Sequence, residues 1–395
     1  MNTEKKFFHS NTAIVTLFAA CFVVLISLGV RQTFGLFFID FNESLNISNT
    51  AFGFAIGTQM LMWGLTGPIF GAIADRFGGH VAIISSFLFY TLGVYFLYSG
   101  PNTGIFFQIH LGLLIGIGLG GTAISIPMSI VGKHFPLSNR TIAMSIVTAV
   151  GSFGYFISPI FTNYSLIEYG WNYTLFLFSL FLVTGLIAAY FVRSPKENEI
   201  VENRSDQSFK EALSEAFKSK SYILLVSGFF VCGFHITLVG THVPKYVIDR
   251  GLEDWTAAAI LSLIGLFNIF GSLLSGYLST KISKKVLLSA IYLLRGFSIA
   301  FFIFTPPSVL SAFIFGASFG FLWLSTVPAT SGIVAHLFGT KYLGLLYGIV
   351  FLSHQIGSFF GAYLGGLFHD LYGSYDYAWY LSLIHISEPT RRYRI

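Results

Sequence analysis

Apolar runs long enough to cross a bilayer recur along almost the whole chain. They start near Thr12, Thr50, Val81, Gly104, Thr141 and Tyr173, and resume near Tyr222, Trp255, Val286, Ser308, Tyr342 and Tyr377. A membrane helix needs about 20 mainly apolar residues, so each run reads as one span. In hydrocarbon the backbone polar groups must be satisfied within the segment, which leaves helices as the form these runs take. Composition agrees. Of 395 residues 54% are hydrophobic and 10% charged, 45 are Phe, and the mean hydropathy is +0.74. A soluble domain has about a quarter charged residues. Such a chain cannot cover its apolar side chains in water, and the lipid bilayer is its expected solvent.

The net charge of +5 does not point to nucleic acid, because of where the charges sit. Fifteen of the 22 Lys and Arg lie at the N-terminus, in the polar gap between Arg193 and Ser221, and after the even-numbered spans; the opposite face holds only Lys245 and Arg250. By the positive-inside rule the N-terminus and the gap are expected in the cytoplasm of a multi-pass protein of the cell inner membrane. The apolar stretch after MNTEKKFFHSN is too long for a signal-peptide core and reads as an uncleaved first span. The gap divides the chain into an expected N-terminal six-helix bundle (1–192), a cytoplasmic linker (193–221) and a C-terminal bundle (222–380). Residues 381–395 read LSLIHISEPTRRYRI, and LSLIHISEPTR resembles the translation of a sequencing adapter. We treat that tail as non-native, and it leaves the twelfth span incomplete.

The halves repeat. Ser125-Ile-Pro127-Met-Ser129 in the fourth span parallels Thr326-Val-Pro328-Ala-Thr330 in the tenth, and Gly151-Ser-Phe-Gly154 in the fifth parallels Gly357-Ser-Phe-Phe-Gly361 in the eleventh. Pro127 and Pro328 are expected to bend their helices. After the second span comes GAIADRFGGH, Gly71 to His80. This resembles the signature loop of the major facilitator superfamily. Gly29-Val-Arg31-Gln-Thr-Phe34-Gly35, Thr241-His242-Val-Pro244 and Ser353-His354-Gln355 look like bacterial relatives of the monocarboxylate and oxalate/formate transporters. The resemblance implies an all-α membrane protein, a twelve-helix major facilitator fold of two pseudo-symmetric six-helix bundles. It also implies that the Gly71, Asp75, Arg76 and Gly78 loop helps hold a gate. Gly71 would allow close packing, Gly78 a tight turn, and Asp75 would face the positive end of a neighbouring helix.

A charge in hydrocarbon costs several kcal/mol and needs a reason. Arg31 lies in the first span and Arg295 in the ninth, while none of the 17 acidic residues falls in the middle of a span. The planar guanidinium suits a carboxylate, so a small organic anion is expected at Arg31, whereas Arg295 reads as structural. Gln32, Gln59, Asn268, His354 and Gln355 are the other candidate substrate contacts. His354, His235, His242, His110 and Asp40 are the proton-coupling candidates, since imidazole titrates near neutral pH. Neutral histidines bonding across helices are the structural alternative.

No phosphate-cradling loop, paired carboxylates, disulfide framework or metal-ligand spacing is present in the sequence. No enzyme activity, cofactor, metal or nucleic-acid partner is expected. The reading is a monomeric secondary transporter of a small organic anion, with a monocarboxylate foremost, working by alternating access with proton symport or anion exchange. A drug or metabolite efflux carrier of the same superfamily is the alternative. A non-transporting membrane sensor ranks lower, because the termini and linker leave no room for a signalling domain.

Overall fold

The computed structural model describes residues 11–194, 209–339 and 343–392. The N-terminal residues, most of the expected linker (195–208) and the last three residues of the tail lie outside them. The described chain is helical. In order come α1 (Asn11–Gln32), α2 (Phe38–Leu45), α3 (Asn49–Phe77) and α4 (Gly79–Ser99). A single turn, α5 (Ile105–Phe107), runs through a π-helical stretch at Gln108–Leu114 into α6 (Ile115–Thr122), followed by α7 (Ser125–His134) and α8 (Leu137–Ala189). After α9 (Phe209–Lys218) come α10 (Lys220–Asp249), α11 (Asp254–Leu278), α12 (Lys284–Phe304), α13 (Val309–Leu322), α14 (Thr326–Phe338), α15 (Leu343–Tyr372) and α16 (Asp376–Arg392).

Among the described residues, nine helical stretches are long and apolar enough to cross a membrane. One of them, in α8, holds two of the expected spans, because the chain turns at Gly170, whose φ of 78° is open to glycine. With α3 and α16 added, the twelve spans follow the order read from the sequence. α16 passes through the join at Tyr380–Leu381 without a break.

The chain forms two compact units, each described on its own. The first comprises Met1–Leu45 and Met62–Asn198, the second Asn46–Leu61 and Glu199–Ile395. The first part of α3, up to Leu61, thus groups with the helices of the second unit.

Each unit is built on one close helix pair. In the first, α1 lies against α8: a Cβ at Gly29 would strike Ser158 Oγ, and one at Gly154 would strike the Leu25 carbonyl. In the second, α10 lies against α15: a Cβ at Gly233 would strike the His354 carbonyl, and those at Gly357 and Gly361 the carbonyls of Phe230 and Phe234. Lipid gives no hydrophobic push between helices, so association depends on such close backbone approach. The paralleled Gly motifs of the fifth and eleventh spans are these contacts.

The two proline motifs mark helix breaks. α6 ends at Thr122 and α7 starts at Ser125; α13 ends at Leu322 and α14 starts at Thr326. Pro127 and Pro328 are each the third residue of the second piece. A proline ring collides with the carbonyl four residues earlier, here Ala123 and Leu324, which are the residues left between the pieces. In the first unit, Ser86 Oγ binds α6 ahead of its break, donating to the Gly118 carbonyl at 2.6 Å and accepting from the Gly121 amide at 2.9 Å. The groups that the other break frees are met by side chains. In the second, Arg295 Nη2 donates to the carbonyls of Leu322 at 2.6 Å and Trp323 at 3.0 Å. The Leu324 amide donates to Asn268 Oδ1 at 3.0 Å, and Ser275 Oγ donates to the Ser325 carbonyl.

Arg295 is 0% exposed, and its electrostatic partner is the carbonyl end of α13. The C-terminus of a helix carries about half a negative charge, which favours a cation there. Removing the guanidinium orphans two buried carbonyls, and each charged hydrogen bond contributes about 1.5–3 kcal/mol. Arg295→Leu is therefore expected to lower stability by about 3 kcal/mol or more, read as an earlier melting transition of detergent-solubilised protein by size exclusion. A wild-type melting point would show that the clamp is dispensable.

A second expectation concerns glycines. Gly233→Val should cost about 1–3 kcal/mol by overpacking, while Gly71→Ala, where a Cβ meets nothing within 4 Å, should melt no earlier than the parent. Equal melting of all three proteins would remove the backbone contact as the basis of the α10–α15 pair.

Candidate functional site

Arg31 lies one residue before the end of α1 and is 8% exposed. The glycine contacts that draw α8 onto α1 place Tyr155, next to Gly154, beside the guanidinium, which donates to its hydroxyl. Tyr90 of α4 stands in electrostatic reach of Arg31, and its hydroxyl donates to the Ser27 carbonyl at 3.0 Å. Arg31 Nη1 reaches Gln32 Oε1 at 3.4 Å. Gln32 Nε2 has no hydrogen-bond partner among the described residues. The first unit thus gathers a cation, two phenols and an amide in an apolar setting. The sequence reading named Arg31 and Gln32 and missed both tyrosines. The missed signal was Tyr155 following the Gly151–Gly154 motif, which the α1–α8 packing aims inward.

The second unit holds His354, Gln355 and Asn268. His354 Nδ1 lies 3.1 Å from Gln355 Oε1 and 3.4 Å from Ser358 Oγ, and the imidazole stacks on Phe351 with ring centroids 5.9 Å apart. Cys232 of α10 is within hydrogen-bonding reach of His354, receives Arg295 Nη1 at 3.2 Å, and touches Thr326 Oγ1 at 3.5 Å. Gln355 is 1% exposed, and its Nε2 has no partner among the described residues. Asn268 sits elsewhere in the same unit, with Oδ1 committed to the Leu324 amide and to Ser272 Oγ at 3.1 Å. It holds the broken helix, as its central place on α11 next to the α13–α14 gap requires. Gln59 is fully buried in the part of α3 counted with this unit.

The other histidines are engaged with the fold. His110 lies in the π-helical stretch, with Nδ1 3.2 Å from Asn102 Oδ1, and Asn102 in turn caps the Leu97 carbonyl at 2.5 Å. His235 Nε2 donates to the Ser382 carbonyl at 2.9 Å, a partner supplied by the adapter-like tail. His242 Nε2 donates to the Ala362 carbonyl at 2.7 Å, and its ring packs on Tyr375 at 5.1 Å. A neutral imidazole donating to a buried carbonyl between helices is the structural alternative set out above. Asp40 stands in the first turn of α2, half-buried.

The GAIADRFGGH stretch is mostly not a loop. α3 continues through Phe77, and only Gly78, with φ of 95°, breaks the helix before α4. Ala72, Ile73 and Ala74 carry the helix past Gly71, where an added Cβ would meet nothing within 4 Å, so no close helix approach depends on this glycine. Asp75 pairs with Lys133 at the end of α7, 2.9 Å away, and not with a helix N-terminus. Arg76 lies over the Phe77 ring at 5.2 Å.

Comparison with known proteins places these features. Residues 20–362 match the model of the Major Facilitator Superfamily. An uncharacterized MFS-type transporter of Bacillus subtilis, YcxA, is 23% identical over 376 residues, covering 91% of this chain and 89% of that protein. Monocarboxylate transporter 13 of Rattus norvegicus is 24% identical over 376 residues, covering 91% and 83%. Among solved structures, a bacterial homolog of the human lysosomal transporter Spinster superposes with a TM-score of 0.70 at 15% identity, covering 97% of this chain and 95% of that one, which shows the shared fold. With its repeated halves, paired helix breaks and ordered spans, the chain belongs to the major facilitator superfamily, a family of multi-pass membrane transporters.

Proposed function

We propose that the chain carries a small organic anion, a monocarboxylate in the first instance, across the cell inner membrane by alternating access. The N-terminal bundle is read as 1–192 and the C-terminal bundle as 222–380, with the N-terminus and the linker on the cytoplasmic side. The observation that carries the reading is the Arg31 cluster. A guanidinium is kept in an apolar span among the hydroxyls of Tyr155 and Tyr90 and the amide of Gln32. Phenols and an amide beside a guanidinium can orient a carboxylate in its planar fork. The name of the rat relative, a monocarboxylate transporter, agrees with that substrate class.

His354 is the proposed proton-handling group. Its partners are side chains, Gln355, Ser358 and Cys232, which can turn to suit either protonation state, whereas His235 and His242 are tied to backbone carbonyls. Asp75 and Arg76, with Gly71 and Gly78, are the proposed gate. The Asp75–Lys133 pair is exposed (side chains 73% and 37%), and surface pairs contribute about 0–1 kcal/mol, a strength suited to a contact that must open and close.

Uptake of labelled lactate, pyruvate, formate and oxalate into proteoliposomes, with and without an inward proton gradient, tests the reading. At least one of these acids should be taken up. Arg31→Gln should lower its kcat/KM about 100-fold with melting unchanged, which corresponds to about 2.7 kcal/mol, the size of one charged hydrogen bond. Tyr155→Phe should raise KM about tenfold. Arg31→Gln that transports like the parent would remove Arg31 as the anion contact.

Proton coupling gives a separate expectation. If His354 carries the proton, His354→Gln should abolish stimulation by the gradient while leaving exchange of internal for external acid in place. Undiminished stimulation in that variant would exclude His354 from coupling.

A further inference from the structure

Of the three polar side chains that His354 meets, one can itself give up a proton. Gln355 Oε1 and Ser358 Oγ face Nδ1 at 3.1 Å and 3.4 Å, but an amide and an alcohol do not titrate where imidazole does. The third is the thiol of Cys232 on α10, within hydrogen-bonding reach of the same ring. All of these residues lie in the second unit. Backbone fixes the contact: a Cβ at Gly233, the residue after Cys232, would strike the His354 carbonyl. The close α10–α15 approach therefore also holds sulfur against imidazole.

Cys232 has a cation on its other side. Arg295 Nη1 donates to Sγ at 3.2 Å, and Thr326 Oγ1 of α14 lies 3.5 Å from the sulfur. The guanidinium is anchored there. Its Nη2 holds the carbonyls of Leu322 and Trp323, and the rings of Tyr292 and Phe319 each lie 5.6 Å from its Cζ. The carbonyl end of α13 offsets about half a unit charge, and Nη1 is the edge turned to sulfur.

The titratable and charged groups that face the sulfur are Arg295 from α12 and His354 and Tyr347 from α15, while α14 presents Thr326. His235, one turn along α10, has its Nε2 committed to the Ser382 carbonyl. A proton passing from Cys232 to His354 breaks the S–H bond and forms an imidazole N–H bond; sulfur keeps the bonding pair and nothing is oxidised or reduced. The thiolate then lies between guanidinium and imidazolium. No charge created by the shift stands alone in hydrocarbon, where an unpaired one is costly.

We propose that Cys232 is the proton partner of His354: thiol and imidazole hold the coupling proton jointly, and Arg295 steadies the sulfur when the proton is on the ring. The proposal rests on the reading of His354 as the proton-handling group, and it gives the Arg295 clamp a second role.

The test begins without transport. The chain has two cysteines, so Cys21→Ala leaves Cys232 as the one thiol. The S–H stretching band of that protein in detergent is followed by infrared spectroscopy from about pH 5 to pH 9, the range in which imidazole titrates. The band should fade as the pH rises. His354→Gln, or His354→Asn as a second route, should move its midpoint by about one pH unit or more, because a pair that shares a proton titrates as one. In proteoliposomes Cys232→Ser, which keeps a hydrogen-bonding group of similar size but does not ionise in this range, should shift the pH profile of gradient-stimulated uptake and leave exchange in place. An S–H band that is constant over the range, or whose midpoint ignores both His354 variants, would overturn the shared proton even if His354→Gln loses stimulation by the gradient. A band that answers to His354 upholds it even if none of the four acids is taken up, so the pair and the carrier reading stand or fall separately.

Discussion

A buried guanidinium holding the carbonyl end of a broken helix is the contact on which the second unit depends. Backbone groups in hydrocarbon have no water to fall back on, so a break within a span survives only where protein groups replace the lost bonds. Arg295 does this for Leu322 and Trp323, Asn268 for Leu324, and Ser275 for Ser325. Near the equivalent break in the first unit stands the neutral hydroxyl of Ser86, which binds Gly118 and Gly121 inside α6. Two halves with matching sequence motifs thus carry different chemistry beside their breaks. The charge in the ninth span is explained without a carboxylate on its level.

The break also ties the Arg295 clamp to the polar interior of that unit. Arg295 reaches Cys232, Cys232 reaches Thr326 at the start of α14, and His354 closes the group from α15. These residues come from α10, α12, α14 and α15, and the close α10–α15 approach at Gly233, Gly357 and Gly361 sets their spacing. In the first unit the equivalent approach of α1 and α8 positions Tyr155 against Arg31. In both units, a glycine contact that serves packing also fixes where the polar groups stand.

Legibility varied with the physical reach of each signal. The spans, their order and the two proline breaks were readable, because hydropathy and the Pro collision act within about twenty residues of chain. The glycine motifs were readable as motifs, although only the fold shows which carbonyls they approach. The Gly71–His80 stretch was read as a loop from its resemblance to a signature motif, whereas the residues after Gly71 carry the helix to Phe77 and the chain turns only at Gly78, the glycine expected to turn it. Asn268 was read as a substrate contact because a buried amide has the same sequence signature whether it binds a ligand or a stray backbone amide. Tyr90 and Tyr155 escaped notice because a phenol in an apolar span ordinarily reads as packing.

The amino-acid sequence alone determined that this protein is a multi-helix membrane chain with a repeated architecture, since the cost of exposing apolar surface and unpaired peptide groups is set locally by residue type. It also determined that two arginines had to be accounted for within spans. Only the tertiary structure decided what accounts for them: a helix terminus for Arg295, and phenols from α4 and α8 for Arg31. It likewise decided that Asp370 would close on the start of α3, 320 residues away along the chain. Partners so distant in sequence are chosen by the helix that packs alongside, and no local pattern records that choice.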